Sequence, residues 1–119
     1  MEHKLFDSER QVMQTLWTHG DLAARQIAVL LAGQVGWNKN TTYTVIKKCI
    51  QKGYIARQEP GFICHALLTH EQVQAQQAGE LVDKLFDGSP SQLFASLLGS
   101  GRLDAGEIDK LRRLIDQKP

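Results

Sequence analysis

The order of the predicted secondary-structure elements constrains the fold of this chain more than any other feature. Three helical patterns come first, with apolar residues at helical spacing over residues 7–18, 23–32 and 40–52. Two short extended segments follow, 54–58 and 62–67, joined by the turn-forming residues 59–61. Three helices followed by a hairpin is the order of a winged helix-turn-helix. We therefore predict a mainly α fold with a small β-hairpin.

The remainder of the chain predicts three further short helices. Thr69 and Gln72 form a capping box at the first of them, and Asp104 with Glu107 caps the last. We therefore predict a winged helix-turn-helix domain over residues 1–68 and a helical region over residues 69–119. No flexible linker separates the two.

The apolar faces of these C-terminal helices carry more large side chains than three short helices can hide from water alone. A second copy of the same segment would complete their core, so we predict a two-fold homodimer held by this helical arm. The alternative is that the helices fold back on the winged helix as one monomeric core. The predicted dimer contacts are Leu81, Leu85, Phe86, Leu93, Phe94, Leu97, Leu98, Leu111 and Leu114.

Charge is unevenly distributed, although the net charge is only +1. Between Asp21 and Glu59 there is no acidic residue, whereas the same stretch holds six basic ones. Up to Leu68, eight basic and five acidic residues give +3; from Thr69 onward, six basic and eight acidic residues give −2. A basic half joined to an acidic half indicates a surface for a polyanion on the first half.

The outer face of the third predicted helix is suited to the DNA major groove, because short polar groups and lysines lie together on it. Arg25 in the second helix and Arg57 in the hairpin are further candidates for phosphate contacts. A solvated surface, or a winged helix used only for protein contacts, is the alternative. The residues predicted to bind double-stranded DNA are Arg25, Asn40, Thr41, Tyr43, Thr44, Lys47, Lys48 and Arg57.

Other function classes find little support in the sequence. It contains no phosphate loop, zinc-helix motif or nucleophile elbow, so we predict no enzyme activity and no cofactor. His65 beside Cys64 is too small a set for a metal site, and Cys49 falls on a core face. Two lone thiols fit a reducing compartment. No apolar run approaches the roughly 20 residues of a membrane span, and the N-terminus has no apolar signal core, so we predict a cytoplasmic protein.

Several segments resemble the penicillinase-repressor family, BlaI/MecI/CopY. They are LFDSERQVMQTLW at residues 5–17, ARQI at 24–27, GW at 36–37, TTYTVIKKCIQKGYI at 41–55, DKLFDGS at 83–89 and the closing DAGEIDKLRRLI at 104–115. The resemblance implies a homodimeric repressor that binds a palindromic operator and dimerises through its C-terminal helices. It also implies operator reading by the outer face of the third helix, the face already chosen from periodicity.

The sequence departs from the family pattern at positions that bear on specificity and induction. Asn40 stands where members typically have a basic residue, and Thr42 where they have an aliphatic one. Resemblance to penicillinase-type members implies a repressor that is switched off by cleavage of an Asn–Phe bond in its C-terminal arm. The nearest matching pair in this chain is Ser96-Leu97, which departs from that pattern. Copper-responsive members carry Cys-x-Cys pairs near the C-terminus, and none occurs here beyond Cys64. The inducing signal is therefore left open.

Overall fold

The computed structural model describes residues 4–118, which divide into two compact units at Gln76/Gln77. Mainly helical structure with a small antiparallel sheet confirms the predicted fold class. The elements in chain order are α1 (Asp7–His19), β1 (Leu22–Ala23), α2 (Ala24–Val35), α3 (Lys39–Gln51), β2 (Ile55–Gln58), β3 (Ile63–Ala66), α4 (His70–Leu85), α5 (Pro90–Gly99) and α6 (Ala105–Asp116).

The sheet has three strands, in the order β1-β3-β2, where the sequence predicted a two-stranded hairpin. Strand β1 pairs antiparallel with β3, Leu22 opposite Cys64, and β2 pairs antiparallel with the other edge of β3, Arg57 opposite Cys64. The predicted hairpin is formed by β2 and β3, and the sequence analysis did not identify β1, which has only two residues. Two residues are too few to show the alternation of apolar and polar side chains that identifies a strand.

The core of the first unit lies where the apolar faces of α1, α2 and α3 meet the sheet. Met13, Ile27, Leu31 and Ile46 are fully buried there, as helical spacing predicts for one face of each helix. Val73, in the first turns of α4, is also buried in this core. The first unit therefore continues to Gln76, beyond the boundary predicted after Leu68.

Two local features set where α3 begins. Gly36 ends α2 in the left-handed conformation (φ 72°), which glycine adopts without steric cost. Asn38 then caps α3, its Oδ1 accepting a hydrogen bond from the Thr41 backbone N–H at 2.8 Å. Half-buried Trp37 packs against the core between these two residues. The turn between α2 and α3 is thus fixed on both sides.

The second unit has the opposite burial pattern. Between Gln77 and Lys118, no residue of the described structure is fully buried. Leu85 is 71% exposed, Leu98 53% and Leu114 60%. The Asp104 side chain caps α6 as the sequence predicts, and the Ser89 side chain caps α5. These helices are well formed locally, and their apolar faces are only partly covered: Phe86, Leu93, Leu97 and Leu111 are half-buried, whereas Leu81, Leu85, Phe94, Leu98 and Leu114 are exposed.

Because the two cysteines of the first unit are buried, we expect the protein to lose stability at alkaline pH. Both side chains are fully buried, and burial raises the pKa of Cys49 to about 12 and that of Cys64 to about 11. An unfolded thiol has a pKa of about 8.5, so the unfolded state releases these protons first. A thiol whose pKa is higher in the folded state contributes to the stability of the protein below its unfolded pKa. That contribution is lost as the pH rises from the unfolded pKa toward the folded pKa. The free energy of unfolding should fall by up to about 1.4 kcal/mol per pH unit for each thiol between about pH 9 and 11.

Urea unfolding between pH 8 and 10.5 measures this loss. The matched control is the double variant Cys49→Ala, Cys64→Ala, which starts from a lower stability but has no thiols to ionise. Its free energy of unfolding should depend less steeply on pH above pH 9. Equal slopes in the two proteins would contradict the assignment to the thiols.

Candidate nucleic-acid interface

The predicted contacts on α3 lie together on one exposed face. The inner face of the helix is buried through Thr42, Val45, Ile46 and Cys49. Because a helix turns every 3.6 residues, the residues between these project to the other side. The exposed residues of that side are Asn40, Thr41, Thr44, Lys47 and Lys48.

The only formal charges on this face are positive. Helix α3 contains no acidic residue, and the sequence has none between Asp21 and Glu59. The small hydrogen-bonding side chains of Asn40, Thr41 and Thr44 are in the first half of the helix, and the two lysines follow one turn later. The face therefore combines groups that can hydrogen-bond base edges with groups that can neutralise phosphates.

Tyr43 is held differently from the other predicted contacts on α3. Its side chain is half-buried, and its ring meets the Phe62 ring edge-on, with centroids 5.9 Å apart. Lys39 Nζ lies 5.6 Å from the centroid of the Tyr43 ring. Tyr43 thus connects α3 to the β2–β3 hairpin, the wing of the fold, and presents only part of its ring to a ligand.

Arg57 lies on the wing next to this aromatic pair. Its Cζ is 3.6 Å from the Phe62 ring centroid, and its Nε donates to Glu59 Oε2. The sequence predicted a cation on the hairpin, and the structure adds a ring and a carboxylate that hold it. Its role as a phosphate contact stays a prediction.

Arg25 is exposed near the N-terminus of α2 and lines an open groove with Leu22, Gln26, Val29 and Leu30. The first turn of α2 is closed by Gln26, whose Oε1 accepts from the Ala23 N–H at 2.8 Å. A guanidinium beside a helix N-terminus favours a phosphate, since the exposed amides there carry partial positive charge. Arg25 also stays a predicted contact.

An ion pair between a buried carboxylate and a partly exposed lysine fixes the far end of α3, and the sequence analysis missed it. Glu9 is 1% exposed, and its carboxylate lies 2.7 Å from Lys52 Nζ. The same carboxylate accepts from the Phe6 N–H at 3.0 Å at the start of α1. Lys52 also lies over the Phe6 ring, 4.3 Å from its centroid. These contacts tie the C-terminal end of α3 to the start of α1.

The signals for these supporting residues were only partly visible in the sequence. Glu9 has the spacing of a capping residue at the start of α1, which predicts an exposed carboxylate. Its burial depends on Lys52, 43 positions away, a separation that periodicity does not address. The sequence analysis also missed Asn38, although asparagine is a preferred residue type at a helix N-cap.

The described residues contain neither a cluster of potential metal ligands nor a helix that could span a membrane. Across residues 4–118, no group of three or more His, Cys, Asp or Glu side chains could hold a metal ion. In that part of the chain, no helix combines the length and the apolar character needed to cross a bilayer.

A model of one protein family, described as penicillinase repressor, matches residues 5–117, nearly the whole chain. The chain belongs to the penicillinase repressor family. This confirms the resemblance seen in the sequence, and it confirms a function in transcriptional repression rather than catalysis.

Curated relatives match nearly the whole length of this penicillinase repressor family member. The methicillin resistance regulatory protein MecI of Staphylococcus aureus (strain N315) is 23% identical over 123 residues, covering 99% of this chain and 100% of MecI. An uncharacterised 16.5 kDa protein of Latilactobacillus sakei is 24% identical over 118 residues, covering 98% of this chain and 81% of that protein.

A solved structure of a repressor domain shares the fold of this family member. The solution structure of the DNA binding domain of the repressor BlaI superposes with a TM-score of 0.54 at 21% identity. The match covers 60% of this chain and 93% of that domain. It confirms the winged helix-turn-helix fold predicted from the order of helices and strands.

Proposed function

We propose that this penicillinase repressor family member represses transcription by binding a palindromic DNA operator as a homodimer. The observation that carries the proposal is the exposed, acid-free face of α3. In each protomer, α3 lies in the major groove. A cytoplasmic location accompanies this function.

The residues of α3 divide between two tasks. Asn40, Thr41 and Thr44 reach base edges from the first half of the helix, where a recognition helix meets bases in this class of motif. Lys47 and Lys48 neutralise phosphates and supply sequence-independent affinity. The capped N-terminus, the Tyr43–Phe62 contact and the Glu9–Lys52 pair hold the helix at three points, so its side chains approach the groove on a rigid support.

Dimerisation is supported by the exposed apolar faces of the second unit. Leu85, Leu98 and Leu114 are each more than half exposed, and burying apolar surface contributes about 25 cal/mol per Å². A second copy offers identical faces under two-fold symmetry. The winged-helix units of the two protomers, here called the two heads, are related by that symmetry. They match two half-sites about one helical turn of DNA apart.

Selection from a pool of randomised DNA duplexes tests the proposal whatever the sequence of the operator. The expected product is a two-fold symmetric motif with half-site centres about 10 base pairs apart, or a multiple of that spacing. Binding to it should weaken steeply with salt. Failure to retain any duplex would overturn DNA binding and favour a winged helix used for protein contacts. An asymmetric single site would overturn the palindromic, dimeric form of the proposal.

A further inference from the structure

The wing carries a contact that the proposed function does not use. Arg57, on β2, is the wing's arginine, and its side chain is 47% exposed. Glu59, at the wing tip, binds it through Oε2, while the other oxygen, Oε1, accepts from the Phe62 backbone N–H at 3.3 Å. Both carboxylate oxygens are therefore engaged, one with the turn and one with the arginine.

This geometry distinguishes the pair from an ordinary surface ion pair. Exposed pairs are weak partly because two long side chains must be ordered to form them. Here the turn orders Glu59 through Phe62, and the Phe62 ring orders Arg57 by stacking at 3.6 Å. The hydrogen bond from Arg57 lowers the pKa of Glu59, so the carboxylate is ionised at neutral pH.

The position of the pair places it beside the DNA-reading face. Phe62, on which Arg57 stacks, contacts Tyr43 of α3 edge-on. One aromatic ring thus separates the guanidinium from the recognition helix. Arg57 is therefore close enough to α3 that a phosphate bound against this helix would lie near its guanidinium.

A carboxylate and a phosphate compete for the same guanidinium, because both accept charge-assisted hydrogen bonds from it. We infer that Glu59 is an autoinhibitory residue that competes with DNA phosphate for Arg57 and so attenuates the affinity of the wing for DNA. This inference rests on the proposed function. It gives the repressor weaker, more readily reversed binding than its basic residues alone would produce.

The experiment compares wild type with Glu59→Gln on a duplex of arbitrary sequence, over a range of salt concentrations. Glutamine keeps the size of the side chain and removes its charge. If the released Arg57 of each wing binds one more phosphate, the slope of log K against log salt should steepen by up to about 1.8 for a dimer. Affinity at low salt should rise about tenfold. An unchanged affinity and slope would overturn the inference.

Two controls separate release of Arg57 from a simple change in net charge. In an Arg57→Ala background, Glu59→Gln should alter affinity by less than about twofold, since no guanidinium is left to release. Asp21→Asn removes an acidic residue just before β1, whose Oδ1 lies 2.8 Å from Nδ1 of His65 on β3, and it should not reproduce the change in slope. An equal rise in affinity in either control would overturn the inference. Absence of duplex binding by the wild type would instead overturn the proposed function itself.

Discussion

Replacing both Lys47 and Lys48 with alanine is expected to weaken binding to duplex DNA by about 100-fold or more at 0.1 M salt. The two lysines are exposed on the acid-free face of α3, one turn beyond Thr44. Each phosphate contact contributes about 0.9 to the slope of log K against log salt. Four lysines in a dimer should therefore lower that slope by up to about 3.6.

The measurement is fluorescence anisotropy of a labelled duplex at several salt concentrations. Lys84 and Lys110 provide the matched control, because they are exposed lysines of the second unit and their replacement by alanine makes the same change in net charge. That control should bind with nearly the wild-type slope. If both double variants lose affinity equally, the loss reflects overall charge, and α3 is not the phosphate-binding element.

A comparison with Thr44→Ala separates base reading from phosphate contact. Loss of a base contact weakens binding to the selected motif by about 1–3 kcal/mol and leaves the slope with salt nearly unchanged. Loss of the lysines should weaken binding to all sequences alike. The two effects are independent readouts of the same helix.

The sequence predicted the elements whose signals are local. The capping box of Thr69 and Gln72 forms through two reciprocal hydrogen bonds, of 2.8 and 3.1 Å. Asp104 likewise accepts from the Glu107 N–H at 2.8 Å. Each pair lies within one helical turn, so its residue types and spacing determine the contact. The same holds for Thr42, which is fully buried on the inner face of α3 as helical spacing predicts.

The features that the sequence did not predict depend on residues far apart in the chain. Strand β1 exists because Leu22 lies opposite Cys64, and Glu9 is buried because Lys52 reaches it. Tyr43 was predicted as an outward contact, but a hairpin ring nearly twenty positions later covers part of it. Periodicity assigns a residue to a face and does not say what the rest of the fold places against that face.

Replacing Leu85 and Leu98 with glutamate is expected to convert the proposed dimer into a folded monomer. Both side chains are more than half exposed within a single chain, so the change leaves the core of the first unit intact. In a dimer the same positions lie in an apolar interface, where burying four unpaired carboxylates costs several kcal/mol. Light scattering should show a mass near 13.3 kDa for the variant and twice that for the wild type.

Val29→Glu is the matched control, since Val29 is an equally exposed apolar residue, at 73%, on the winged-helix unit. It should leave the mass of the wild-type dimer unchanged. A wild-type monomer at micromolar concentration would contradict the dimer and favour helices that fold back on their own chain.

In the proposed dimer, DNA binding by the two winged-helix units is linked through effective concentration, which makes the arm variant informative about both dimerisation and DNA binding. When one head is bound, the arm holds the second near its half-site at millimolar effective concentration, which raises overall affinity by about 10²- to 10⁴-fold. The Leu85→Glu, Leu98→Glu variant should therefore lose that factor on a palindrome, yet bind a single half-site as well as one wild-type head does. Equal affinity of the variant and the wild type for the palindrome would show that the two heads do not bind DNA together.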